Sequence, residues 1–455
     1  MILSFDNIWY AITFFCTEKK IQCLDSLKKF PGCSVNAVAK LYGIEGKKEY
    51  PDFDRYRPES YIPSEEEVEY CLQDSRIMAV AMTNEIRNGH DGMTLSSDAF
   101  KDVKSTIGGY KGWRVHMPIL ETKDEQTARM SYKGGWVYVN PVYQGEELHD
   151  VHVYDVNSLY PWVMHECRLP DGPPMHRRPM GHEVGIVQFL ANFKLDWGFP
   201  MIQQRFIHTY KHLYIEHTTQ PMSMCMTSVD LALFMELYDY EILSEPIWMS
   251  FKTRVGLLAP YIDKWMKVKE EAVMRGDMAM KYMAKRWLNS PYGKTGMNPL
   301  RRNKHPIYND GVMDWHIVNE TTDPVYVPYA SFVCAWARDK TMRACLENED
   351  VFVYADTDSM HLLCEADNVE VHPTKLGAWK HESYSERAKY LRAKTYIHES
   401  QGKIEVTCAG MPDTVKEQVT WDNFKVGSVF QGKKMKKNVR GGCMIVDRTF
   451  EIKEE

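Results

Sequence analysis

No apolar run in this 455-residue chain reaches the roughly 20 residues that a membrane-spanning helix requires. The opening stretch MILSFDNIWYAITFFC comes nearest, but it has no basic lead, carries Asp6 and is too short to span a bilayer. It reads as a buried strand. The eleven cysteines are scattered with no Cys-x-x-Cys pair, so neither a zinc site nor a secreted disulfide framework is indicated, and reduced cytosol is the natural compartment. There is no internal repeat and no low-complexity linker. Positive charge is not in excess: 56 Lys and Arg stand against 62 Asp and Glu, a net charge of −6. That argues against a protein that coats nucleic acid, but not against an enzyme that concentrates its cations in a groove. Two clusters fit such a groove, Arg301-Arg302-Asn303-Lys304-His305 and Lys433-Lys434-Met435-Lys436-Lys437 with Arg440, and either is equally compatible with a solvated loop. Length and a hydrophobic content of 44% suffice for several cores and suggest two to four modules.

Against these absences stands VFVYADTDSMHLLC, residues 351–364. Two short apolar runs flank the polar hinge Ala355-Asp356-Thr357-Asp358-Ser359, the pattern of a β-hairpin whose turn residues bond nearby backbone. Asp356 and Asp358 lie two apart, so in extended chain both carboxylates face one way. Paired carboxylates at a hairpin tip are hard oxygen ligands of the kind Mg²⁺ takes, with positions left open for water and phosphate. A solvated hairpin tip is the competing reading for this stretch alone.

Two further stretches bear on the choice. Residues 151–164, VHVYDVNSLYPWVM, alternate as a strand ending on Asp155, and Asn157-Ser158 then reads as a helix cap before an apolar segment. In MAMKYMAKRWLNSPYGK, residues 278–294, Lys281, Lys285, Asn289 and Tyr292 recur on one helix face. Two ammonium groups, an amide and a phenol there suit a triphosphate with its sugar and base, although a solvated basic face has the same pattern.

Taken together the three stretches resemble motifs A, B and C of the family B DNA polymerases. The matches are Asp-x-x-Ser-Leu-Tyr-Pro at 155–161, Lys-x-x-x-Asn-Ser-x-Tyr-Gly at 285–293 and Tyr-x-Asp-Thr-Asp-Ser at 354–359, in the family's order. The resemblance implies an α+β multidomain fold, the right hand of palm, fingers and thumb, with a partial ribonuclease H-like exonuclease domain. It implies a DNA template and primer strand, dNTPs as substrates, and two Mg²⁺ ions, with Mn²⁺ a possible substitute. In that scheme Asp155 and Asp358 bridge the metals, Asp356 is a ligand or support, and Val156 offers its backbone carbonyl. Lys285 holds the triphosphate and can protonate the leaving pyrophosphate, and Lys281 adds positive field. Tyr160 floors the sugar pocket and rejects a 2′-hydroxyl, and Asn289 and Tyr292 line the base-pair side. Catalysis falls to Asp155, Asp356, Asp358 and Lys285.

Other segments carry the resemblance further. The helix SEEEVEYCLQDSRIMAVAMTNEI opens with a Ser64–Glu67 capping box and sets Tyr70 beside Asp74. The pair resembles the third motif, Tyr-x-x-x-Asp, of the 3′–5′ exonuclease that precedes family B palms, and Lys48 matches a lysine near such sites. The first motif, Asp-x-Glu, is absent ahead of it, and Phe5-Asp6 mimics the end of the second but crowds the Trp9–Phe15 run. One carboxylate cannot hold two metals, so the expectation is a truncated remnant that keeps a structural role. Tyr132-Lys133-Gly134-Gly135 resembles the Tyr-x-Gly-Gly element that touches template strand, its glycines permitting close backbone approach to phosphate, as a plain turn would also use them. Lys394-Thr395-Tyr396 resembles the Lys-x-Tyr motif. In a strand its cation and phenol share a face and hold the primer end.

A long region between motifs A and B, and a hairpin signal at Asn309-Asp310-Gly311 after motif B, narrow the resemblance to the protein-primed bacteriophage enzymes. The organisation this implies is an exonuclease-like segment at 1–95, palm at 96–166, a priming-protein-binding insertion at 167–258, fingers at 259–297, a second insertion hairpin at 298–326, palm at 327–408 and thumb at 409–455. A terminal priming protein is the implied partner, with the chain a monomer or its heterodimer, away from membranes in the host bacterial cytoplasm. A catalytically incompetent DNA-binding fragment is the alternative, against which the intact carboxylates argue. Two departures stand out: Pro291 is expected to end or kink the motif B helix, and Trp162, where a small residue is usual, is expected to crowd the segment after motif A.

Overall fold

The structure is a computed structural model that describes residues 2–5, 8–15, 20–46, 60–203, 214–310, 312–322, 324–439 and 442–453. The chain divides into two compact units. The first comprises residues 1–106, 260–294 and 300–320, and the second comprises residues 107–259, 295–299 and 321–455.

The first unit opens with an antiparallel sheet of Ile2–Phe5, Ile8–Phe15 and Lys20–Leu24. The apolar N-terminal stretch thus forms two strands rather than one, and the overlooked signal is Asp6-Asn7, two turn-favouring residues between them. Asp6 and Lys48 both lie outside the described residues. The helix Glu65–Arg87 begins with the anticipated capping box: Ser64 Oγ accepts from the Glu67 amide at 3.2 Å, and the Ser64 amide donates to Glu67 Oε2 at 2.8 Å. Behind it Lys29 forms a buried ion pair with Asp98 and donates to the His90 carbonyl at 2.8 Å, so its charge is both paired and hydrogen-bonded.

Two helices of this unit, Ala259–Met274 and Met278–Thr295, stack Trp265 on Trp287 at 4.1 Å. The second helix runs through Pro291 instead of ending there. A proline leaves the carbonyl four residues back without its helical donor, and that carbonyl belongs to Trp287. The buried Tyr261 hydroxyl donates to it at 2.8 Å, which removes the penalty the expectation relied on. Leu300–Asn309 pairs with Val312–Thr321, and Asp310 takes the left-handed conformation (φ 48°) between them.

The second unit is built on a seven-stranded antiparallel sheet. Its order is Lys403–Cys408, Thr395–Ser400, Trp379–Arg392, Glu147–Val156, Ser359–Leu362, Phe352–Asp356, Val137–Val139. The helix Val327–Glu347 is buried along most of its length, which accounts for the uncharged run of its first half, residues 327–337. A five-stranded sheet, with Val184–Leu195 as its longest strand, fills the region between motifs A and B and carries the helix Ser228–Leu237. Towards the C-terminus Val429–Val439 pairs with Gly442–Glu451 over Phe424, Phe430, Phe450 and Ile452. Among the described residues no helix is long and apolar enough to cross a membrane, and Cys23, Cys33, Cys71, Cys167, Cys225, Cys334, Cys345, Cys364 and Cys408 are free thiols.

Candidate active site

The expected hairpin is present as Phe352–Asp356 and Ser359–Leu362. It lies beside Glu147–Val156, with Ser359 opposite Asp155, and the Val156 amide donates to the Asp358 carbonyl at 2.7 Å. Motifs A and C therefore share one sheet, and that register brings the backbones of Asp155 and Asp358 side by side. All three aspartates are half-buried.

Local detail departs from expectation in four places. The hinge is not extended: Thr357 is left-handed (φ 63°), so Asp356 and Asp358 do not share a face by strand alternation. Asp356 instead receives Lys394 Nζ at 2.7 Å on both oxygens and the Tyr354 hydroxyl at 3.3 Å. Burial and the Asp356 charge push the Tyr354 phenol far above its ordinary range, which keeps it a neutral donor. Among the described residues no three His, Cys, Asp or Glu side chains are assembled closely enough to hold a cation. Lys394 is not in a strand but in the tight turn before Thr395–Ser400 (φ 56°), so it shares no strand face with Tyr396, which packs on Tyr354 and Tyr390 at 5.4 Å. Ser158 precedes the helix Leu159–Glu166 as expected, but its left-handed backbone (φ 57°) leaves its side chain making no capping bond.

Tyr160 lies in the first turn of that helix, half-buried. Trp162, one turn from motif A, is accommodated rather than crowded, because its indole lies against Gly377, where a Cβ would fall 2.0 Å from Cδ1. Lys340 Nζ lies over the same ring, 4.2 Å from its centre. The glycine that makes this room was not singled out in the sequence. Tyr132 ends the helix Thr122–Ser131, and its hydroxyl lies against Gly296. Gly135 touches the motif C turn itself, since a Cβ there would come 2.5 Å from Thr357 Oγ1. Arg338 donates to the carbonyls of Lys133 and Gly134, a contact sequence reasoning missed.

In the first unit, Lys281, Lys285, Asn289 and Tyr292 are carried by one helix, Met278–Thr295, with Lys285 exposed and the others half-buried. Tyr70 and Asp74 are one turn apart on Glu65–Arg87.

Comparison with known proteins identifies the family. Residues 52–371 match the family described as DNA polymerase type B, organellar and viral. The DNA polymerase of Bacillus phage Nf is 35% identical, over 99% of this chain and 84% of that protein. The enzyme of Streptococcus phage Cp-1 is 31% identical, over 98% and 82%. Among solved structures, the phi29 DNA polymerase complexed with primer-template DNA and incoming nucleotides matches with a TM-score of 0.88 at 34% identity, covering 98% of this chain and 83% of that one. The chain belongs to the organellar and viral type B DNA polymerases, has their fold, and is a DNA-directed DNA polymerase.

Proposed function

We propose that this chain replicates a linear phage or phage-like genome, starting each strand on a hydroxyl of a terminal protein and extending it by two-metal nucleotidyl transfer. The observation that carries the chemistry is the register that sets Asp155 against Ser359 and bonds Val156 to Asp358. The donors suit hard cations: two half-exposed carboxylates and the Val156 carbonyl offer only oxygen and leave room for substrate phosphates, as Mg²⁺ prefers. When bound there, Mg²⁺ or Mn²⁺ lowers the pKa of the attacking hydroxyl and neutralises charge on the departing pyrophosphate.

The chain's own residues do the rest. The primer hydroxyl attacks the α-phosphorus, the bond to pyrophosphate breaks, and Lys285 gives the leaving group its proton while Lys281 adds positive field. Tyr160 floors the sugar, Asn289 and Tyr292 meet the nascent base pair, Tyr132 with Gly134 and Gly135 follows the template, and Lys394 with Tyr396 steadies the primer end. Asp356, already engaged by Lys394, supports rather than ligates. Residues 167–258 are assigned to docking the priming protein, 298–326 to closing the channel, and 409–455 to gripping duplex backbone. The compartment is the host cytoplasm.

Primer extension on a primed single strand with Mg²⁺ tests the chemistry. Asp155→Ala and Asp358→Ala each lose about a hundredfold or more in rate, and wild-type rates in both would end the reading. For priming, the chain incubated with the terminal protein of the same replicon, template and labelled dNTP yields a labelled protein, whereas label found only on oligonucleotides rejects it. We also infer that Tyr70 and Asp74 do not by themselves cleave 3′ ends, since the pair brings one carboxylate where two metal ions need several. Cleavage of a 3′-labelled strand that vanishes in Asp74→Ala would overturn that inference.

A further inference from the structure

Arg338 stands in the buried helix Val327–Glu347 with a side chain 2% exposed, facing an Asp230 side chain 5% exposed. Its donors are spread over two targets. Nε and Nη2 donate to Asp230 at 3.0, 2.8 and 2.8 Å, and Nη1 donates to the carbonyls of Lys133 at 2.9 Å and Gly134 at 2.6 Å. Asp230 is itself held, since Thr227 Oγ1 donates to its Oδ2 at 2.8 Å in the first turn of Ser228–Leu237.

The two residues after Gly134 reach the motif C turn. Gly135 fits against Thr357, and the Thr357 amide donates to the Trp136 carbonyl at 2.7 Å. One turn along the arginine's own helix, Thr341 Oγ1 donates to the Thr357 carbonyl at 2.8 Å. Contacts therefore close a ring: helix, Arg338, residues 133–136, Thr357, Thr341 and back to the helix. Thr357 needs such restraint, because a β-branched residue at φ 63° is strained and persists only where its surroundings over-determine it.

We propose that Arg338, clamped by Asp230, is a positioning residue for nucleotidyl transfer, fixing through the Lys133 and Gly134 carbonyls the turn that carries Asp356 and Asp358. It rests on the carboxylate reading given above. Lysine cannot replace it, since one ammonium with three donors cannot hold a carboxylate bidentately and two carbonyls besides. An ordinary core ion pair would behave differently: exchanged for apolar residues of similar volume, such a pair is often dispensable.

The double variant Arg338→Met/Asp230→Leu separates the two accounts. Expected are a Tm near wild type, affinities for nucleotide and primer-template within about twofold, and a single-turnover rate reduced about tenfold or more. A folded double variant with the wild-type rate overturns the proposal. If that variant does not fold, Arg338→Lys takes its place. It keeps a cation opposite Asp230 and loses the carbonyl bonds, so a slow rate with unaltered nucleotide affinity supports the role, and a wild-type rate rejects it. Asp358→Ala run alongside distinguishes the failures, because an active Asp358→Ala removes the carboxylate reading, and this inference with it.

Discussion

Lys394 Nζ lies 2.7 Å from each carboxylate oxygen of Asp356, joining the Lys-x-Tyr turn to the end of the strand Phe352–Asp356. The Tyr354 hydroxyl sits at the same junction, donating to Asp356 and accepting the Lys394 amide at 3.1 Å. The pair is partly exposed, so its value lies in holding the lysine's position rather than in stability. Lys394→Ala and Asp356→Asn should each weaken primer-template affinity more than they slow saturated turnover, and the double variant should be no worse than the poorer single one. Extension rates over a range of DNA concentrations measure this, and additive losses would disconnect the two residues.

The route of the motif B helix through Pro291 leads to a second expectation. Tyr261→Phe strips the Trp287 carbonyl of its donor in a buried setting, at a cost of about 1–3 kcal/mol. Adding Pro291→Ala restores a backbone N–H four residues on and should recover most of the loss. Denaturant unfolding of the two variants tests it, and a double variant no more stable than Tyr261→Phe would break the link.

These cases show where reading by eye succeeds and where it stops. The motif C hairpin, the 64–67 capping box and the strand through Asp155, which ends one residue later at Val156, are governed by neighbours in sequence, so alternation and turn residues revealed them. Features that failed depend on distant partners. Pro291 is tolerated because of a hydroxyl from another helix, Trp162 fits because residue 377 is glycine, and Asp356 faces a lysine 38 positions on. Ser158 and Lys394 miss for a related reason: left-handed backbone at a non-glycine leaves little sequence trace.

Gly377 combines that backbone requirement with a packing one. Its φ is +78°, and any Cβ would strike the Trp162 indole. Its amide donates to the Asn157 carbonyl at 2.9 Å and the Asn157 amide donates to the Ala378 carbonyl at 2.9 Å, two residues from Asp155. Gly377→Ala should therefore cost about 2 kcal/mol or more and depress extension. Trp162→Leu in the same chain should relieve the clash but leave about 1 kcal/mol of backbone strain. Thermal melts and extension assays on both check this; full recovery would mean that space alone demanded glycine.

His361 supplies the pH dependence. It is buried on the strand Ser359–Leu362, 2.7 Å from the Tyr390 hydroxyl, and burial, with His398 adding a like charge, pushes its pKa down to about 3. Unfolded histidine titrates near about 6.5, so between those values the unfolded chain binds a proton that the folded chain refuses. Stability from this residue is complete above about 6.5 and drains away as pH falls towards the folded value. His361→Gln should be less stable than wild type at neutral pH yet lose less on acidification to about pH 5, because the glutamine takes up no proton in either state. Melting temperatures of the two proteins across that interval decide it: parallel acid limbs would assign the sensitivity to other groups. His361 pairs with Val153 on the motif A strand, and the folded chain takes up its proton only at the bottom of that window, so extension activity should follow the folded fraction on acidification; a loss of activity near about pH 6 in fully folded protein would assign that loss to groups other than His361.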